Sequence, residues 1–593
     1  MKTKYLLIAT LAGLALVGCN KETGNDTAPV EGEKSYMAFN IVAPNTMTKG
    51  TVGSPEFDGV ELESKLDNVF FFFYVNNAFL CEGKVLNTLD GFGFGTAVSD
   101  NTVEKVGSNA VVVLETNGTK PNGVLCFINL TPEDRAAIRG KTLPDVIAYT
   151  NKDRTGIKHI QFGYEKTTGG VTNYYFTMSN SVFYNSTESK FMQAYAVTGA
   201  NCAASESDAR AHPVTLYMDR LAAKVSSVAY NDATDAYAFS DGSHNYGITL
   251  QAWGLNATNR LAFLTKNVDA AWASGAPTWM GIGTADHRMF WEKDPNYRTV
   301  DAALDIFPNE APGFVGAEDD SPLWYFSYNQ ISTSAAEAAA PATKFHHDNV
   351  TYSGGLVRNY CFPNTFGDAF KANFRRVGTH VLVVAQAKMD GAVQTFYEYN
   401  GSHYLEADYI AVALANINAS TQLYYYDSGT TSYKALDAAH VEIAKAIVNA
   451  SDEIVKTSGA SDGYVSVFPT LTKSELYFYN TTTTAYEAIS DAQYKQAFTT
   501  DIVERANCYT NGLMYYCVPI EHLAAETEAY GVHGMVRNHD YRVTVTGVNT
   551  LGKGIYDPTE PIVPGDKSQK WYLAAKININ AWHVVTQNTV LSE

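Results

Sequence analysis

The sequence predicts a mainly β chain of sandwich type, with a few short helices and an inserted strand–helix repeat. Three observations carry this. Tyr, Phe and Trp supply 38, 29 and 7 of the 593 residues, with abundant Thr, and such side chains favour pleated, half-buried surfaces. The apolar residues fall in short runs and in strict alternation, the signature of strands. Charged residues are only 18% against 46% hydrophobic, so a net charge of −19 is diluted in a foldable chain. That acidity also disfavours nucleic acid, whose phosphates need a basic face.

The first residues, MKTKYLLIATLAGLALVGCN, carry Lys2 and Lys4 and then an apolar stretch from Tyr5 to Val17. It is too short for a permanent membrane helix and reads as an export signal. It ends in Leu16-Val17-Gly18-Cys19, similar to the bacterial lipoprotein processing box. Signal cleavage between Gly18 and Cys19 would make Cys19 the first mature residue and the lipidation site. Each acyl methylene buried in a bilayer adds about 0.8 kcal/mol of anchoring. The alternative is an ordinary signal peptide with a chance cysteine. The other cysteines, at 81, 126, 202, 361, 508 and 517, are irregularly spaced and mostly inside apolar runs. They are expected as buried thiols, although an oxidising compartment would permit disulfides.

Residues 20–34 read as a polar tether. Residues 36–43 form the first strand, with Met37, Phe39 and Ile41 on one face. Core strands follow at 69–75 (VFFFFYV), 110–116 and 124–130. Thr131-Pro132-Glu133-Asp134 starts a helix, since Thr caps, Pro fits the first helical position and acids suit the dipole; Gly140 ends it. Strands at 171–178, 191–197 and 213–229 come next, then an expected hairpin of 247–256 with 260–265 around Asn256 to Asn259. Residues 266–350 are loop-rich. Strands at 379–388, 513–519, 541–548 and 571–582 close the chain.

Between 394 and 499 the sequence repeats. LYYYDSGTTSYKALDAAHVEIAKA (423–446) parallels LYFYNTTTTAYEAISDAQYKQAF (476–498), with a looser copy at 396–416. Each copy is expected as a Tyr-rich strand, a polar turn, a short second strand and a helix, the helix of the middle copy resting on Ile443, Ile447 and Ile454. Small stacked units inserted in a sandwich would follow. Tyr-rich strands suit surface recognition; a spacer is the bland alternative.

No linear catalytic motif is present: no G-x-S-x-G, H-E-x-x-H, phosphate loop or zinc-spaced cysteine pair. His346-His347-Asp348 and Glu318-Asp319-Asp320 are expected as surface loops, and Asp232, Asp235 and Asp241 as a turn-rich loop whose spacing fails the calcium-loop pattern. The chain is expected not to be an enzyme and to need no cofactor or metal. Paired carboxylates of glycosidases leave no linear signature, so a surface glycan-binding lipoprotein or hydrolase stays open.

Seven segments, in order, resemble the fimbrillins of Bacteroidetes, subunits of type V pili, most closely the main structural subunit of the short (minor) fimbriae. They are the box at 16–19, KSYMAFNI (34–41), VTLYMDRLAAKV (214–225), YCFPNTF (360–366) with THVLVVAQAKM (379–389), VRNHDYRVTVTGVNTLGKG (536–554), and INAWHVV (579–585). The triple repeat departs from that pattern. The resemblance implies two β-sandwich domains of transthyretin-like, Greek-key type: a signal peptide 1–18, a lipidated propeptide 19–49 carrying the first strand, an N-terminal domain 50–230 and a C-terminal domain 231–593. It also implies a lipid-anchored outer-membrane precursor, a maturation protease, loss of the first strand, and its replacement by a neighbour's C-terminal strand in a surface fimbrium. The implied partners are identical subunits and anchor and tip subunits, with a host or bacterial surface ligand for adhesion.

The residues agree on their own terms. A sandwich stripped of one strand exposes unpaired backbone groups and an apolar trough until a strand completes it. The candidate displaced residues are Met37, Phe39 and Ile41. The tail, about 571–593, alternates as a donor should, with Ile577, Ile579, Trp582, Val584 and Val590 as candidate groove-fillers. No arginine precedes Arg135, so Lys49–Gly50 is the candidate propeptide cleavage site, which requires a protease accepting Lys. The alternative is that residues 36–49 are never removed, as in an anchoring, tip or accessory adhesin.

Overall fold

The computed structural model describes residues 34–42, 65–85, 106–116, 118–150, 162–229, 231, 233–259, 262–275, 287–289, 291–295, 323–337, 350–351, 357–365, 378–449, 451–459, 461–498, 505–520, 522, 534–563, 574–580 and 586–588. Within these the chain is mainly β, as expected.

The first sheet uses β1 (Lys34–Val42), β2 (Val69–Val75), β3 (Ala78–Val85), β4 (Val106–Glu115), β5 (Gly123–Ile128), β6 (Met178–Asn180), β7 (Tyr195–Ala196) and β8 (Val214–Arg220). Their order is β7-β5-β2-β3-β4-β1-β8-β6, and β6 also pairs with β5, so the sheet curls round to meet itself. The run VFFFFYV is apolar throughout because both its faces are buried. Phe71 and Phe73 enter the enclosed core, while Phe72 and Tyr74 pack outside it under α1 (Pro132–Ile138) and α2 (Leu143–Ile147). The α1 cap is as expected: the Thr131 hydroxyl accepts from Asp134 N–H at 3.1 Å, Pro132 opens the helix, and Gly140 follows at φ +79°.

The second sandwich opposes two sheets. One runs β12-β13-β9-β16-β18-β19 and the other β10-β11-β14-β15-β17. Their strands are β9 (Ala223–Ala229), β10 (Tyr237–Ser240), β11 (Asn245–Asn256), β12 (Val350–Thr351), β13 (Val357–Cys361), β14 (His380–Met389), β15 (Leu513–Pro519), β16 (Asp540–Gly547), β17 (Lys553–Gly554), β18 (Ala574–Asn580) and β19 (Thr586–Asn588). Val225, Tyr541, Val543 and Val545 from one sheet meet Ile248, Leu250, Val383 and Tyr516 from the other. The stretch expected at 213–229 is therefore two strands, and the chain passes between the sheets at Leu221–Ala222.

The expected hairpin of 247–256 with 260–265 does not form. β11 instead pairs antiparallel with β14 from Tyr246↔Met389 to Asn256↔His380, and Thr258–Asn259 pairs with Leu323–Trp324. The asparagines taken for a turn are buried connectors. Asn256 accepts from Phe326 N–H at 2.8 Å and donates to Ile562 O at 2.9 Å; Asn259 donates to Pro363 O at 2.6 Å.

The repeat region has its own core, shared by the helices Glu406–Ser420 and Asp491–Phe498 and by Leu423 and Leu476. All three copies form the expected Tyr-rich hairpin. The first and last copies continue into helices, but the middle copy does not: Val441–Val448 is a strand paired with Tyr464–Pro469 and Ile454–Lys456. Nor do the copies stack evenly. The 396–404 hairpin joins the sheet of Ala506–Tyr509, whereas the other two pair with each other.

Candidate functional site

β1 lies in the middle of the first sheet. It runs antiparallel to β4 from Lys34↔Glu115 to Val42↔Val106 and parallel to β8 from Phe39↔Val214 to Val42↔Tyr217. Both of its edges are therefore hydrogen-bonded. Beyond the ladders, Tyr36 N–H donates to Ala203 O at 2.8 Å and Ala203 N–H donates back to Tyr36 O at 2.9 Å.

Its two faces differ in size. Met37, Phe39 and Ile41 have no exposure and enter the enclosed core. Phe39 meets Phe71 at 4.6 Å and Phe73 at 6.1 Å between ring centroids. The reverse face carries the small Ala38, packed with Val111 and Ala209 under the helix Glu206–Ala211. The seat thus accepts large, small, large at successive positions. The walls of this seat were not named from the sequence: Phe71, Phe73, Val112, Leu114, Leu216 and Met218. The signal was present in the alternation of their strands, yet alternation does not say which strands flank β1.

The tail is placed differently. β18 pairs along one edge with β16, bringing Ile577 opposite Val543 and Ile579 opposite Tyr541. Among the described residues its other edge holds only the short β19, between Lys576↔Asn588 and Asn578↔Thr586. The strand expected to leave is central in its sheet, and the segment expected to be donated is at an edge. Gly18, Cys19, Lys49, Gly50, Trp582, Val584 and Val590 lie outside the described residues, as do His346-His347-Asp348 and Glu318-Asp319-Asp320.

The junction of the sandwiches gathers two motifs that carried the resemblance. From VRNHDY, Asn538 N–H donates to Ala222 O at 2.7 Å, and buried Arg537 donates to both Glu292 carboxylate oxygens at 2.8 Å. From MDRLAAKV, buried Asp219 meets Arg288 and, at 3.1 Å, Lys266, while Lys224 lies 3.9 Å from Asp540. Burial works against the Asp219 charge, but Arg288 and Lys266 outweigh it and hold its pKa at about 2. These groups fix the junction and present no reacting constellation. Cys126 and Cys508 are buried free thiols, and burial pushes Cys508 up to about 12, out of the nucleophilic range.

Asp235 and Asp241, expected in a plain loop, are engaged: Asp235 with Lys388 at 2.7 Å, and Asp241 with His403 at 2.9 Å. Among the described residues no group of His, Cys, Asp and Glu is arranged to hold a metal, and no helix is long and apolar enough to cross a membrane.

Residues 507–588 match the family model described as major fimbrial subunit protein type IV, fimbrillin, C-terminal. Those residues are similar to the C-terminal part of fimbrillins. The match bears out the resemblance read from the sequence, on the stretch that contains β15 to β19 and hence the edge hairpin of the tail.

Two solved structures are similar over most of the length. One is a candidate cell adhesion protein from Bacteroides eggerthii DSM 20697, at 11% identity, 95% of this chain, 98% of that chain and TM-score 0.30. The other is a candidate cell adhesion protein from Parabacteroides distasonis ATCC 8503, at 10% identity, 94% of this chain, 100% of that chain and TM-score 0.31. Superposition this loose supports no argument about architecture or role. No curated protein sequence matches the chain.

Proposed function

We propose that the chain is a structural subunit of a surface fimbria, made as a lipidated precursor at Cys19 and polymerised by donor-strand exchange after cleavage at Lys49–Gly50. The observation that carries this reading is the position of β1: central, paired on both edges, and wholly buried at Met37, Phe39 and Ile41. Removing such a strand opens two rows of backbone donors and acceptors and an apolar trough. Three large side chains in that trough contribute about 1.5–3 kcal/mol each, and each ladder hydrogen bond about 1 kcal/mol net. An incoming strand with large residues at alternate positions recovers both terms.

The tail supplies such a strand from a neighbouring copy. Its place next to the sheet edge allows it to come off β16 without opening the middle of its own sheet; Ile577 and Ile579 share one face, Trp582, Val584 and Val590 share a face beyond them, and these two sets would fill the trough. No nucleotide or metal is required, and no catalysis is assigned. Partners are identical subunits, anchor and tip subunits, and the maturation protease. A chain that kept residues 19–49 would instead be an anchoring or accessory adhesin, and the full seating of β1 in the uncut chain is the observation in its favour.

Deleting residues 574–593 tests the reading. The truncated chain, which loses Ile577, Ile579, Trp582, Val584 and Val590 together, is expected to fold and mature but to remain monomeric. A truncated chain that still polymerises overturns donation by the tail.

A further inference from the structure

The two best-matched repeats form a pseudo-two-fold pair. Tyr424 lies opposite Tyr477 in the antiparallel pairing of Leu423–Asp427 with Leu476–Asn480, flanked by Leu423↔Phe478 and Tyr425↔Leu476. In the aligned repeats Tyr424 and Tyr477 are equivalent, as are Tyr426 with Tyr479 and Tyr433 with Tyr486. The axis passes between the first pair. The ring geometry obeys it: Tyr433 stacks on Tyr486 at 4.2 Å and 15°, and Tyr426–Tyr433 repeats as Tyr479–Tyr486, both at 5.2 Å.

Directly paired residues share a face of a sheet. One face of this four-stranded sheet sends Leu423 and Leu476 into the core beside the two helices. The cross-strand pairs of the opposite face join the tyrosines only to one another and to Ala435 and Ala488. All eight positions of that face are thus Tyr or Ala, with no charge, on a chain of net charge −19. Lys434 and Asp427 fall on the other face and pair with each other. Tyr426 and Tyr479, 48% and 42% exposed, flank the central stacked pair.

We infer that this face binds a neutral oligosaccharide, through two equivalent half-sites centred on Tyr426 and Tyr479. Aromatic faces pack against apolar sugar C–H surfaces, and phenol hydroxyls both donate and accept. The absence of cations leaves nothing to pair with a sialylated or sulfated glycan. The Tyr433–Tyr486 stack closes the centre, so no aromatic cage opens there for an ammonium group. The eight positions alone are a small footprint for a protein partner. Four strands about 4.8 Å apart, with about four residues each at about 3.3 Å, cover roughly 250 Å². Two such faces together would bury roughly 500 Å², well under the ~1,200 Å² of a stable protein interface. This site is independent of how the chain assembles.

The test is to probe an array of neutral, sialylated and sulfated glycans with the full chain, and to titrate the retained glycan by calorimetry. Neutral glycans are expected to bind, with affinity insensitive to salt. Tyr426→Ala and Tyr479→Ala should weaken binding equally, and the double variant by about tenfold or more. Ala435→Lys, which removes no ring, should weaken it too and guards against a folding defect in the tyrosine variants. Retention of acidic glycans alone, binding undiminished in the double variant and in Ala435→Lys, no glycan bound, or self-association lost in the double variant would each overturn the inference.

Discussion

Phe39 stacks on Phe71, ring centroids 4.6 Å apart and planes inclined by 25°, joining the candidate removable strand to the sheet that would outlast it. Phe39→Ala leaves a cavity at a site with no exposure and should cost about 3–5 kcal/mol in the uncut precursor. Denaturant unfolding of full-length protein measures this. The same substitution should leave assembled material unchanged in stability, because the account removes Phe39 before assembly.

His380 is held neutral. Burial lowers its pKa to about 4, against a small opposing effect of the Gly378 carbonyl. Its Nδ1–H donates to Gly378 O at 3.0 Å, and Nε2 accepts from Asn256 at 3.1 Å. Between the ordinary value of about 6.5 and about 4, the unfolded chain binds more protons than the folded one, so stability falls as pH falls. The loss from this group should reach about 3 kcal/mol. Urea midpoints of wild type and His380→Gln, compared across this window, should show a shallower acid limb in the variant.

Thr431 and Thr484 occupy equivalent turn positions with φ of 49° and 55°. A β-branched residue is strained in that left-handed region. Thr431→Gly and Thr484→Gly should each stabilise the repeat region, by about 1 kcal/mol and to the same extent, since the turns are related by the pseudo-two-fold axis. Thermal melting of the two variants checks both the sign and the equality.

Asp219 shifts in the same direction as His380, but it is held charged where His380 is held neutral. With a folded pKa of about 2, its contribution is present above the unfolded value of about 3.9 and is lost as pH falls toward 2. Asp219→Asn leaves Arg288 and Lys266 buried beside a neutral group and should cost about 3 kcal/mol near neutral pH. Chemical denaturation at neutral pH measures it.

Local signals in the sequence located β1, the phenylalanine run and the capped helix at Thr131, because each is set by short-range alternation or end chemistry. Pairing over long separations was not legible. β11 finds β14 more than a hundred residues away, and nothing near Asn256 records that. Ile443 and Ile447, four residues apart, suit a helix turn and every second residue of a strand equally, and the partner strand at Tyr464–Pro469 decided for the strand. The repeat told which residues are equivalent, but only the antiparallel register turned them into a two-fold face. At the candidate site, the residues of β1 itself were legible and the walls around it were not.

The most direct test of strand exchange is N-terminal sequencing of the assembled surface protein. The account predicts a first residue of Gly50, with β1 gone from the fibre. A lipidated start at Cys19 in assembled material would contradict it.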